Sequence, residues 1–180
     1  MIETPRLKLH AWSDRHRAAF AQMHADPEVM ADLGGPVHRA ESDLKFDRYC
    51  AALRDHGTSR WAVEDNDGRF LGYAGVMPRM SKEHPLGPHF EVGWRFVRPA
   101  WGNGFVTESA RAALDHAHRT VGLTGIVSYT SSDNLRSQAV MKPFSFVRRA
   151  APAFEIAASQ GTEWQGLVWS APEMTGANVR

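Results

Sequence analysis

His89-Phe90-Glu91-Val92-Gly93-Trp94-Arg95-Phe96-Val97-Arg98, then Pro99-Ala100-Trp101-Gly102-Asn103-Gly104, then Phe105-Val106-Thr107-Glu108-Ser109-Ala110-Arg111, is the stretch on which the reading of this chain turns. Its first part alternates as a strand does: Phe90, Val92, Trp94 and Phe96 point one way, Glu91, Gly93 and Arg95 the other. Its last part changes period. Val106, Ala110, Ala113, Leu114 and Ala117 recur at helical spacing, which predicts a helix over residues 105–120. Between the two lies a turn carrying Gly102 and Gly104.

Such a junction has a chemical consequence. The first N–H groups of a helix lack internal partners and lie at the positive end of its dipole. Glycines before them remove side-chain bulk, so an anion can approach bare amides. The junction predicts an anion site suited to a diphosphate, although the same glycines would serve simply to turn the chain into the helix. A dinucleotide fingerprint would need glycine where Thr107 stands, and a P-loop would need a Gly-Lys-Ser/Thr ending that the chain lacks.

Working outward, residues 6–12 alternate as a strand, and Ser13 or Asp14 caps a helix reaching 25. Pro27 opens a short helix to 33, and a longer one spans 40–56 before Gly57. Strands are expected at 60–64 and 69–77 around the turn Asn66-Asp67-Gly68, with a polar loop at 80–88. Further expectations are a strand at 126–130, a helix at 133–141, strands at 144–148 and 164–169, and a loop at 150–161 between them. Hairpins mixed with helical crossovers predict an α+β fold. Its sheet is mixed and mostly antiparallel, with helices on both faces. A single domain over 1–170 is expected, with 171–180 as a loose tail.

Composition bounds the function. The 180 residues carry a formal net charge of +1, which argues against a concentrated basic face for nucleic acid. With 43% hydrophobic and 23% charged residues the chain reads as an ordinary globule. A single cysteine, Cys50, excludes an internal disulfide framework and a cysteine metal cluster. The start has no basic and apolar leader, and no stretch is apolar enough to span a membrane, so a cytoplasmic protein is expected. Nine histidines form no His-Glu-x-x-His motif, so no metal is expected. Six tryptophans read as core rather than as a stacking platform; Trp12, Trp61 and Trp94 fall on strands as core or pocket wall.

Glu91-Val92-Gly93-Trp94-Arg95-Phe96 with Trp101-Gly102-Asn103-Gly104-Phe105-Val106-Thr107-Glu108-Ser109-Ala110 resembles the GNAT superfamily of acetyl-CoA-dependent N-acetyltransferases, above all its branch of ribosomal-protein N-terminal alanine acetyltransferases. Thr4-Pro5-Arg6-Leu7-Lys8-Leu9, Asp26-Pro27-Glu28-Val29-Met30 and Asn134-Leu135-Arg136-Ser137-Gln138-Ala139-Val140-Met141 extend the resemblance over residues 3–148. It implies a central sheet that splits between the family's fourth and fifth strands, here 89–98 and 126–130. It further implies acetyl-CoA in the gap, its pyrophosphate on the amides of Gly102, Asn103, Gly104, Phe105, Val106 and Thr107 behind Trp101. The pantetheine arm would run beside Phe96 and Val97. Gly93 would leave room beside the sheet, and a bulge near Glu91 or Gly93 would help open it. Where the family usually has Leu-Gly-Phe, this chain has Phe144-Ser145-Phe146, and Pro143 is placed to end the last helix early.

The implied reaction moves acetyl to a primary amine, which must shed a proton first. Glu91 is the general base the resemblance suggests; paired instead to Arg95 along the same face, it would be structural. The backbone N–H of Val92 or Val97 would polarise the thioester carbonyl. Many relatives carry a tyrosine acid where Met141 stands here. Ser137 remains as a hydroxyl for the sulfur or as a helix-face hydroxyl bonded to a carbonyl. Asn134 either orders the pantetheine or caps its helix. The acceptor stays open among protein N-termini, aminoglycosides, polyamines and amino acids, and a homodimer is possible. A non-catalytic acyl-CoA-binding module of the same fold is the alternative.

Overall fold

The structure is a computed structural model, and it describes residues 1–150, 154–157 and 163–172. The chain runs β1 (Ile2–Glu3), β2 (Leu7–His10), α1 (Asp14–His24), α2 (Pro27–Met30), α3 (Arg39–His56), β3 (Arg60–Asp65), β4 (Phe70–Arg79) and β5 (His89–Phe96). It continues through α4 (Phe105–Arg119), β6 (Val127–Thr130), α5 (Leu135–Met141), β7 (Val147–Arg148), β8 (Phe154–Ala157) and β9 (Glu163–Ser170). The strands line up β1-β2-β3-β4-β5-β6-β9-β7, with β8 against β9. Every neighbouring pair is antiparallel except β5–β6. This is the mixed α+β fold expected from the order of elements.

Local chemistry sets the element ends. Asp26 caps α2, its carboxylate accepting from Glu28 N (2.9 Å) and Val29 N (3.3 Å), with Pro27 in the first turn. Ser13 caps α1, and its N–H donates to His16 Nδ1 at 3.1 Å. In the β3–β4 hairpin the Asp65 carboxylate accepts from the N–H groups of Asp67 and Arg69.

The sheet buries both faces. On one, Trp12, Phe20, Phe46, Tyr49, Ala62 and Tyr73 pack α1 and α3 against β3 and β4. On the other, Leu7, Leu9, Trp61, Val63, Phe96 and Ala113 pack the sheet on α4. Trp12 and Trp61 are therefore core.

Three expectations are corrected. The segment expected as a loop at 150–161 contains β8, which pairs in register with β9 from Phe154↔Gly166 to Ala157↔Glu163; residues 151–153 and 158–161 lie outside the described residues. The strand expected at 144–148 shrinks to Val147–Arg148, because Lys142–Phe144 turns as a 3-10 helix after α5. Ser145 then adopts φ 58, the left-handed region that favours glycine. The bulge expected near Glu91 or Gly93 is absent: β4 and β5 pair continuously from Gly72↔Phe96 to Arg79↔His89, and the register shift falls between Val63 and Glu64. The tail expected at 171–180 lies outside the described residues from 173 onward.

Among the described residues no helix is long and apolar enough to cross a membrane.

Candidate active site

The loop between β5 and α4 is held open. Gly102 (φ 77) and Gly104 (φ 76) both take left-handed backbone, which glycine alone adopts without cost. Trp101 N–H donates to Arg98 C=O, and Glu108 N–H to Gly104 C=O, both at 3.0 Å. Between them the amides of residues 102–107 have no partner among the described residues. The N-terminal segment braces this loop from behind. Arg6 Nη1 donates to Asn103 C=O at 3.0 Å, and its guanidinium stacks 4.8 Å from the Phe105 ring centroid. Thr4 Oγ1 donates to Glu108 Oε1 (2.6 Å) and Arg6 Nε to Glu108 Oε2 (2.7 Å). Burial would raise the Glu108 carboxyl, but these bonds hold it below its ordinary value.

The sheet opens beside this loop. β5 and β6 pair at one position, Glu91↔Val127, so they diverge beyond it. Val97 N–H donates to Leu71 C=O at 2.9 Å. By antiparallel alternation, the main-chain groups of Arg95, Gly93 and Glu91 also face β4, while those of Trp94 and Phe96 face the gap. The role expected for the Val97 amide is thereby corrected: it is spent on β4, and the free edge is Trp94–Phe96. Trp101 Nε1 fills one acceptor of that edge, the Phe96 carbonyl, at 2.8 Å.

Two cavities meet at the gap. A cleft of about 320 Å³ runs from Gly102 and Val106 past Trp101, Phe96 and Trp94 to Asn134 and Val140 of α5. A chamber of about 400 Å³ lies on the side of α3, walled by Lys45, Tyr49, Tyr73, Arg79, Glu91 and Tyr129 among others. Asp32, Trp94, Arg95 and Ser137 line both. Asn103, Phe105 and Thr107 lie outside the cleft lining; the Asn103 side chain turns back to the Trp101 carbonyl at 3.0 Å.

Glu91 is buried in the chamber wall between two arginines. Its Oε1 is 2.8 Å from Arg60 Nη2, and its Oε2 is 2.6 Å from Arg79 Nη2. Burial would raise its carboxyl, but Arg60 and then Arg79 outweigh burial and pull it down to about 2. A carboxylate held by two arginines is engaged as their counter-ion, which bears against the general-base role expected of Glu91. The alternative partner is corrected too: Arg95 binds Asp32, at 2.8 and 3.2 Å, and the Val29 carbonyl. Gly93 lines the chamber, but the space a side chain would take there is filled by Arg60. A Cβ there would strike the Arg60 guanidinium, at 2.6 Å from both Nη atoms.

Asn134 caps α5 by accepting from Ser137 N (3.0 Å) and donates from Nδ2 to Asp32 (3.0 Å). The Ser137 hydroxyl itself makes no hydrogen bond to a described residue. Met141 is 2% exposed and faces the core rather than the cavities. Sequence reasoning missed Lys45, Arg60, Arg79 and Tyr129 in the chamber. Burial, then the charge of Glu91, raises the Tyr129 hydroxyl, so it stays protonated at neutral pH. Among the described residues no group of three or more His, Cys, Asp or Glu could hold a metal ion.

An open mixed sheet, a bare-amide loop at one end of its gap and a chamber at the other make up the candidate site on an α+β scaffold. Residues 6–147 match the model of the acetyltransferase (GNAT) domain, and the chain belongs to that family. It is 32% identical over 117 residues to an uncharacterised protein of Bacillus subtilis, YkkB, covering 64% of this chain and 66% of that one. It is 29% identical over 147 residues to the FsC-acetyl coenzyme A-N(2)-transacetylase of Aspergillus fumigatus, covering 78% and 62%. The chain thus spans under two thirds of the length of these two curated relatives. Its fold is similar to the crystal structure of an acetyltransferase from Agrobacterium tumefaciens, with TM-score 0.78 and 25% identity over 96% of this chain and 94% of that one.

Proposed function

We propose that the protein is an acetyl-CoA-dependent N-acetyltransferase that moves acetyl to a primary amine by direct attack. The observation that carries this reading is the meeting of the two cavities at Trp94, Arg95 and Ser137. Coenzyme A suits the cleft on this chain's own chemistry. A diphosphate needs donors that the protein does not use, and the amides of 102–107 are such donors. A pantetheine arm bears amides that pair with a free strand edge, and Trp94 and Phe96 offer one. Acetyl-CoA, when bound, supplies the activated acyl group.

The chain's residues then do three things. The loop and strand edge hold the arm so that its thioester end points toward Ser137, whose unused hydroxyl donates to the sulfur. The chamber admits the amine from the opposite side. Its excess of cationic side chains lowers the amine's own affinity for a proton, so water can carry that proton away without a side-chain base. Trp101-Gly102-Asn103-Gly104 and Thr4-Pro5-Arg6 support placing the chain beside the ribosomal-protein alanine acetyltransferase branch; the acceptor does not follow from that placement.

The engagement of Glu91 and the burial of Met141 favour a second reading, a non-catalytic acyl-CoA-binding module. One experiment separates the two: calorimetric titration with acetyl-CoA alongside thiol release over a panel of amines. Binding with turnover of at least one amine is expected. Binding with no turnover of any amine supports the module, and absence of binding overturns both.

A further inference from the structure

The chamber is lined by more positive charge than its carboxylates balance. Arg60 and Arg79 share the single carboxylate of Glu91. Arg95 is matched by Asp32. Lys45 and Arg48, one turn apart on α3, also line the chamber, and neither makes an ion pair with a described residue. Glu41, one turn before Lys45, acts on it only at a distance. Burial lowers the proton affinity of the Lys45 ammonium; Tyr49 acts against burial, and the charges of Arg95 and Arg48 lower it further, with the least support from Glu41. Lys45 is half-buried and Arg48 is exposed; a partly desolvated cation among cations is an energetic deficit that an incoming anion relieves.

The phosphates of coenzyme A do not answer this deficit. They belong at the other end of the site, beside Gly102 and Val106, and neither Lys45 nor Arg48 lines that cleft. The anion must arrive with the acceptor.

We infer that the acceptor is an amine that also carries a carboxylate, an amino-acid-like zwitterion whose acidic end is held by Lys45 and Arg48 while its amine reaches the junction at Ser137. This rests on the acetyltransferase reading and narrows it. A polyamine would bring further positive charge against Lys45, Arg48 and Arg79, and a cavity of this charge rejects it. A chamber of about 400 Å³ suits a small molecule of this kind.

The test uses matched acceptors of two to six carbons: an ω-amino acid, its carboxamide, and the diamine of the same length. Acetyl-CoA binding to the full chain is measured first by calorimetry. Thiol release then gives kcat/KM for each acceptor. The amino acids should exceed their amides by about tenfold or more, with the diamines lowest. Lys45→Gln and, separately, Arg48→Gln should each raise KM for the amino acids severalfold more than for the amides. Amides or diamines that equal or exceed the amino acids overturn the inference while leaving the enzyme intact. So does a Lys45→Gln loss shared by all three classes. If acetyl-CoA does not bind, the acetyltransferase reading itself fails. If it binds and nothing is acetylated, titration of amino acid against diamine into the acetyl-CoA-loaded protein decides: preferential binding of the amino acid upholds the chamber's preference, and equal or weaker binding ends it.

Discussion

The Arg60 guanidinium lies directly over Gly93, so close that a Cβ on Gly93 would stand 2.6 Å from both of its terminal nitrogens. Arg60 reaches Glu91 only by crossing this bare strand position, donating to the Gly75 carbonyl on the way at 2.7 Å. The missing side chain of Gly93 thus makes a passage for Arg60, while its backbone lines the chamber. Gly93→Ala should displace the guanidinium and destabilise the fold by about 1–3 kcal/mol, the usual cost of overpacking. An unchanged midpoint in urea unfolding would show that Arg60 relaxes freely.

Glu91→Gln tests whether this carboxylate is a base or a structural counter-ion. As a base, its loss would leave a normally folded protein slower by about 10²-fold or more. As the counter-ion of Arg60 and Arg79, its loss leaves two cations facing a neutral amide, and breaking such a buried pair costs about 3–5 kcal/mol. The expected outcome is a large fall in Tm. Acid should do to the parent what the substitution does to the variant. The Glu91 carboxyl is at about 2 when folded against 4.5 as its ordinary value. Its contribution is therefore complete above pH 4.5 and is lost as pH falls toward 2.

Arg6→Ala should act on the cofactor and not on the chemistry. Arg6 touches neither cavity, yet it fixes Asn103 from behind and holds Glu108 in the first turn of α4. Without it the bare amides lose their fixed arrangement. The dissociation constant for acetyl-CoA should rise about tenfold, equivalent to about 1.4 kcal/mol, with kcat little changed. A fall in kcat at saturating acetyl-CoA would instead place Arg6 in the reaction.

Ser145 offers a gain rather than a loss. It is the one non-glycine among the described residues with positive φ, at 58, where an L side chain costs about 1–2 kcal/mol. Ser145→Gly should raise Tm by a few degrees, since about 1 kcal/mol shifts a domain of this size by roughly 2–4 °C. No rise would mean that the freedom glycine gains in the unfolded chain offsets the relief.

How much of this was legible in the sequence depends on the range of the interaction. The alternation of β5, the two glycines and the apolar face of α4 are local, so the loop and its bare amides could be read directly. The Asp26 and Asn134 caps are equally local. The setting of Glu91 is not: Arg60 and Arg79 lie 31 and 12 residues away and meet it only because β3, β4 and β5 are neighbours. Nothing near Glu91 marks it as doubly paired, and Arg95, the arginine that stands closest on its face, is taken by Asp32. The chamber's charge was hidden likewise, since Lys45 and Arg48 line it only because α3 is laid across the sheet. β8 escaped because four residues, Phe154–Ala157, give too short an alternation to distinguish from loop.

His24 makes the fold itself sensitive to pH near neutrality. It is fully buried on α1, bonded through Nδ1 to the Phe20 carbonyl at 2.9 Å and stacked on Tyr73. Burial, then the positive charge of Lys45, lowers its ring from the ordinary 6.5 to about 3. Above pH 6.5 neither the folded nor the unfolded ring binds a proton, and stability is complete. Between 6.5 and 3 the unfolded chain binds a proton that the folded chain refuses, so stability falls as pH falls, by at most about 1.4 kcal/mol per pH unit. The Glu91 carboxyl acts only below 4.5, which leaves the window from pH 6.5 to 5 to the histidines; His10 and His16, also held below their ordinary values, contribute the same sign. His24→Leu should be less stable than the parent at pH 7.5, having lost its bond to Phe20. Across pH 6.5 to 5 its stability should decline more gently, by up to one proton's worth of slope. Urea unfolding at four pH values measures both, and parallel curves for parent and variant would show that His24 does not carry the dependence.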